Sequence, residues 1–295
     1  MARTNNLTNF LTDVATAIKT KKGNDTPIPA SDFDTEIIDL PSGGGLDWSA
    51  IGYSEAPQTI TSEYNYSKQI YDNWNSTLSL VERFYTDRKL VIMPLVDTKI
   101  GGSATNMFYG CWSLEEIPLL DFSNVTNCTS MFMNCSRLKI IAKLDLSNVT
   151  NCSSMFYSCT TLETIPNFNT SKCENMVNMF NSCAKLKTVP LIDTSKCTTM
   201  RAMFNGCYEL ENLPIFDWSG ISGYNSLSNV FSDCTKLTDI SVDNILQMCI
   251  NVTSAYKSSK TLTTLGFRAQ YYPVSRIQAL PHYQDFINAG WTIGY

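Results

Sequence analysis

A dipeptide recurs along this chain with a fixed period. Met107-Phe108, Met131-Phe132, Met155-Phe156, Met179-Phe180 and Met203-Phe204 stand 24 residues apart, and Val230-Phe231 follows after 27. The extra residues fall in GISGYNS, a loop-forming stretch. Phe84 anchors a degenerate leading copy. A period of this length restricts the chain to stacked supersecondary units, none of which can bury its apolar face alone.

Each unit follows one grammar, M-F-x-x-C-x-x-L-x-x-I/L/V-P-x-x-D/N-x-S. Pro94, Pro118, Pro166, Pro190 and Pro214 share a column, with Ala142 as the exception. Asp97, Asp121, Asp145, Asn169, Asp193 and Asp217 share another. Residues 114–120 are short and proline-containing, which suits a brief strand. Residues 125–132 carry apolar side chains at i, i+3 and i+6 to i+7, which predicts a short helical turn. Asp121 and Ser123 precede it as turn or N-cap residues. The expected fold class is α/β: a solenoid of ~24-residue units, short parallel strands plus short helical turns, rising roughly 5 Å per rung.

The chain has eleven cysteines, an odd number, and no C-x-x-C. The repeat sorts them. Cys111, Cys135, Cys159, Cys183, Cys207 and Cys234 form one column. Cys128 and Cys152 share a column with Met176, Met200 and Leu227; Cys173 and Cys197 share one with Val125, Val149 and Ile221. Where cysteine exchanges with Met, Leu, Val or Ile, it acts as a small hydrophobe. The expectation is free, buried thiols, no metal and no cofactor, and a mild Cys128→Met. Stacked cysteines point the same way, which disfavours the disulfide torsion. The single histidine, His282, leaves little for His-based chemistry and reads as structural. The sequons at Asn124 and Asn148 recur with the repeat and read as turn and cap chemistry. Glu115, Lys139, Glu163, Lys187 and Glu211 alternate in sign along one column, which predicts an ion-pair ladder between rungs.

These motifs resemble the BspA-type leucine-rich repeats, in the branch patterned M-F-x-x-C-x-x-L-x-x-I-P-x-L-D-x-S-x-V-T-N-M. The resemblance covers 84–242 and implies a leucine-rich-repeat solenoid with short strands on one side. The chain then divides into an N-terminal helical attachment module (1–41), a Gly-rich linker (42–47), an aromatic cap (48–82), the repeats (83–242), and a final rung with C-terminal cap (243–295). In the last part, 243–249 reads as a helix, Leu262, Leu265 and Phe267 as a rung, and Phe286, Ile287, Trp291 and Ile293 as its cover.

In the first module, Leu7, Leu11, Val14 and Ile18 form an apolar helical stripe that permits a trimeric bundle. The segment LTNFLTDVATAIKTKKGNDTPIPASDFDTEI resembles an N-terminal piece of tail-associated proteins from phages and prophages of Gram-positive bacteria. No secretory h-region and no membrane-length apolar run occur in the sequence. A net charge of −5 argues against nucleic acid as the main partner.

The expected function is therefore that of a non-enzymatic, tail-associated virion protein. Its partners would be virion proteins through the N-terminal module and a host surface protein or glycan through the repeats, with no membrane. The alternatives are a capsid-decoration or tail-scaffold protein and a BspA-like surface adhesin. Candidate contacts are aromatics standing where other copies carry small or polar groups: Tyr109, Trp112, Phe122, Tyr157, Tyr208 and Trp218.

Overall fold

The structure, a computed structural model, describes residues 81–91, 102–117, 122–141 and 144–295. All of these fall in one unit of the chain, Asn75–Tyr295. The attachment module with Leu7, Leu11, Val14 and Ile18, the linker, most of the aromatic cap, and Pro94, Asp97, Pro118, Asp121 and Ala142 lie outside the described residues.

The described repeats are built from very short parallel strands. β1 (Gly102–Ser103) pairs with β3 (Val125–Asn127), and β2 (Glu116–Ile117) pairs with β4 (Ile140–Ile141). Single parallel bridges continue the first ladder through Asn127, Asn151, Asn175 and Thr199, and a bridge joins Thr188 to Asn212. Each partner lies 24 residues on, so the sequence period is also the structural register.

The helical turn expected over 125–132 is not there. Val125–Asn127 is strand, and Ser130 and Asn134 are left-handed, with φ of 53° and 66°. The chain instead runs through successive tight turns: Met131 N–H donates to the Cys128 carbonyl, Met133 to Ser130, Cys135 to Phe132 and Leu138 to Cys135. The intervening N–H groups point to the next rung, with Ser130, Phe132 and Asn134 donating to Ser153, Met155 and Tyr157. Half of the local donors thus bind across rungs, so a helical i→i−4 ladder has none to use. Inward positions recur every third residue because each turn spans three residues. That spacing imitates a helical face in sequence.

The left-handed residues keep to two columns, one before the Met and one before the Cys. The first holds Asn106, Ser130, Ser154, Asn178, Ala202 and Asn229; the second holds Asn134, Ser158, Ser182 and Asp233, with Gly110 and Gly206. Small polar residues and glycine dominate both, as the left-handed region demands. Ala202 lacks a side-chain hydrogen bond to favour that conformation.

Inside, the phenylalanines form one stack. Phe84, Phe108, Phe132, Phe156, Phe180, Phe204 and Phe231 lie nearly parallel, with successive ring centroids 5.2 to 6.0 Å apart. Phe267 then meets Phe231 edge-on at 75° and ends the stack.

Among the described residues, helices occur only past the last of these rungs. α1 (Asp239–Ile250) starts at Thr238, whose hydroxyl accepts from Ser241 N–H. That is four residues before the expected start at 243. α2 (Val274–Gln278) and α3 (Tyr283–Asn288) follow. Leu262, Leu265 and Phe267 are buried, as are Phe286, Trp291 and Ile293, while Ile287 is half-buried. His282 ties the start of α3 to α1: its backbone N–H reaches Asp243 Oδ1 at 3.0 Å and its Nδ1 lies 2.7 Å from Oδ2.

Candidate binding surface

The six candidate contact residues do not share one place. Phe122 and Trp218 are fully buried, so they are corrected from surface contacts to core. Their column runs Phe122, Leu146, Thr170, Thr194 and Trp218, and all of it faces inward. The threonines made the column look exposed. Their hydroxyls donate to the carbonyls of Asp193 and Asp217 at 2.6 and 2.8 Å, which lets a polar side chain sit inside.

The remaining four reach the surface. Trp112 and Tyr208 are exposed, and Tyr109 and Tyr157 are half-buried. Tyr109 stacks on Tyr85 at 4.8 Å, and the Arg88 guanidinium lies 4.3 Å over the Trp112 ring. Tyr109 and Trp112 flank Gly110, whose backbone runs past Thr86. Tyr85, Arg88, Tyr109 and Trp112 therefore make one aromatic and cationic patch. Tyr157 lies two rungs beyond Tyr109 in its column, with Met133 between. Tyr208 lies four rungs beyond Trp112, roughly 20 Å away. Tyr85 and Arg88 were not among the expected contacts. The signal was available, since they occupy the Tyr109 and Trp112 columns of the copy anchored at Phe84.

The surface around this patch is held by inter-rung polar contacts. Asn127, Asn151 and Asn175 turn their Oδ1 atoms back to the N–H two residues on, at 2.9 to 3.0 Å. Asp145, Asn169, Asp193 and Asp217 do the same to Ser147, Ser171, Ser195 and Ser219. Those bonds hold the Asp193 carboxyl below its usual range. The sequons belong to this network: Asn148 Nδ2 donates to the Ser123 carbonyl, and Thr126 and Thr150 hydroxyls donate to Gly102 and Thr126 carbonyls. The charged column pairs in twos, Lys139 with Glu115 and Lys187 with Glu163. Lys187 lowers the Glu163 pKa and Glu163 raises that of Lys187. Both side chains are about half exposed, so the pair adds little stability.

All eleven cysteines are buried and free. Among the described residues no cluster of His, Cys, Asp and Glu could hold a metal. The six-member cysteine column does more than fill space. Cys111, Cys135, Cys159, Cys183, Cys207 and Cys234 each donate Sγ–H to the phenylalanine carbonyl of the preceding rung, at 2.9 to 3.2 Å. Burial pushes these thiols up, to about 12 for Cys111 and Cys183, so they stay protonated donors. A thiol is a weak donor with a small desolvation cost, which suits a carbonyl facing an apolar core.

The other two columns compensate in volume. Val125 accompanies Cys128 and Val149 accompanies Cys152, whereas Cys173 accompanies Met176 and Cys197 accompanies Met200. All eight are buried. This sharpens the Cys128→Met expectation. Met beside the unchanged Val125 overpacks the rung, at about 1–3 kcal/mol. Val125→Cys with Cys128→Met recreates the Cys173–Met176 rung and restores most of the loss. Urea unfolding of the single and double variants measures both.

Residues 102–191 and 163–264 match the model of the family described as Mycoplasma protein of unknown function, DUF285. The chain belongs to this family. The match spans the described repeats and runs into the segment after α1. Among solved structures, the chain is similar to a leucine-rich-repeat protein of T. pallidum, with 21% identity and a TM-score of 0.35 over 58% of this chain and 85% of that one. No curated protein matches. The molecule is thus a repeat protein of the DUF285 family, with leucine-rich-repeat-like periodicity and short parallel strands.

Proposed function

We propose that this DUF285 repeat protein is a non-enzymatic binding protein. Its rungs wind into a solenoid that carries an exposed aromatic face to a protein or glycan on a host-cell surface, as a tail-associated component of a phage virion. The observation that carries the reading is the patch of Tyr85, Arg88, Tyr109 and Trp112. It presents aromatic edges and a cation on backbone that the phenylalanine stack and the thiol column hold rigid. Rigid aromatic anchors bind with little loss of side-chain entropy. The virion assignment rests on the N-terminal segment's resemblance to phage tail-associated proteins.

The test is binding of the purified full chain to host cells, with Trp112→Ala and Tyr208→Ala compared. Trp112→Ala is expected to weaken binding about 10-fold or more, as an anchor beside Arg88. Tyr208→Ala, outside the patch, is expected to change it less. Equal binding by all three chains, or none by any, rejects the patch. Cryo-microscopy of particles tests the virion placement separately.

The family's description favours a second reading, a protein of the bacterial cell surface. Labelling of intact cells with an antibody to the chain, in a strain without phage particles, distinguishes it.

A further inference from the structure

We propose that Cys152 and Cys173 form a peroxide-sensitive thiol pair, which closes to a single disulfide linking two consecutive rungs. Most cysteines here face carbonyls or stack in columns with parallel side chains, a poor arrangement for a disulfide. Cys152 and Cys173 come from different columns and meet on a diagonal. Cys152 N–H donates to the Asn175 carbonyl at 2.9 Å, and Cys173 Sγ donates to the same oxygen at 3.4 Å. The two side chains therefore converge, and the Cys152 thiol donates to the Cys173 sulfur.

The neighbouring rungs repeat this geometry without a second thiol. One rung earlier, Cys128 N–H donates to the Asn151 carbonyl, but Val149 occupies the diagonal position. One rung later, Cys197 Sγ and Met176 N–H share the Thr199 carbonyl at 3.2 and 3.0 Å, and the diagonal partner is a methionine. Among these three diagonals only one holds two cysteines.

The electrostatics agree. The Cys152 thiol is pushed up, first by its hydrogen bond to Cys173 and then by burial. The same hydrogen bond pulls Cys173 down, and the other ten cysteines are all pushed up. Cys173 is thus the nucleophile.

The chemistry balances with a hydroperoxide as oxidant. The Cys173 sulfur attacks one peroxide oxygen; an S–O bond forms, the O–O bond breaks, and water leaves from hydrogen peroxide. The Cys152 sulfur then attacks Cys173; the S–S bond forms, the S–O bond breaks, and a second water carries away the Cys152 proton. Two thiols are oxidised and one peroxide is reduced to two waters.

The experiment treats the native full chain with dilute hydrogen peroxide, blocks free thiols and maps peptides by mass spectrometry. The expected result is one linked pair, 152 with 173, lighter by two hydrogens, with the six carbonyl-bonded thiols unmodified. The variant Cys173→Val with Met176→Cys keeps the number of thiols and copies the Val149–Cys152 rung, so it is expected to fold and to lose the link. No crosslink in the native chain overturns the proposal. So does a Cys128–Cys152 or Cys173–Cys197 link in comparable yield, or a Cys152 link that persists in the double variant.

Discussion

Phe156→Ala lowers the unfolding free energy by about 3–5 kcal/mol. Phe156 is fully buried, with Phe132 at 5.3 Å on one side, Phe180 at 5.5 Å on the other and Phe168 at 5.9 Å. Removing the ring takes contacts from three neighbours at once. The rungs cannot close over the gap, because Phe156 N–H is bonded to the Met179 carbonyl and the Phe132 N–H to the Met155 carbonyl. These bonds hold the rung spacing while the cavity stays open. Phe84→Ala is the control. Phe84 has one stacked partner among the described residues, Phe108, and is slightly exposed, so its truncation costs less. Denaturant unfolding of the two variants gives the difference directly.

Gly266→Ala is the second change with a large expected effect. Gly266 sits at φ +98°, and a Cβ there would lie 2.3 Å from Ser232 Oγ, 2.5 Å from its N and 2.7 Å from its Cα. The serine hydroxyl could rotate away, but the backbone atoms could not. They belong to the rung whose Phe231 N–H binds the Leu265 carbonyl, next to Gly266. The left-handed backbone costs about 1–2 kcal/mol and the overlap roughly 1–3 kcal/mol more. The expected result is a loss of several kcal/mol and faster proteolysis after Phe231, where the last rung would separate. Gly290→Ala separates the two causes. Its φ is +84°, but a Cβ there meets nothing within 4 Å. It should show the backbone cost alone.

Both predictions concern how rungs touch, and there the sequence is least explicit. The columns were legible because stacking puts the same residue of each copy in the same environment. The period of 24, the inward cysteines and the alternating charges all follow from that. The family match over 102–264 rests on the same columns. The site was less legible. Phe122 and Trp218 share a column with Thr170 and Thr194, and a threonine in sequence does not say whether its hydroxyl meets water or a carbonyl. Tyr85 and Arg88 lie in the copy where the repeat is most degenerate, so alignment by eye passes over them.

The sequence by itself determined the repeat, its register and which residues form the core columns, because burial repeats wherever the pattern repeats. Only the tertiary structure decided how the chain travels between those columns. Spacing by three suits a helix and a run of tight turns equally well. The choice depends on where the N–H groups of residues such as Ser130, Phe132 and Asn134 find acceptors, and those acceptors lie one rung, 23 residues, away. The same holds for the cysteines of the opening pattern. Six of them read as filler in sequence, and they become hydrogen-bond donors once the preceding rung brings a phenylalanine carbonyl within about 3 Å.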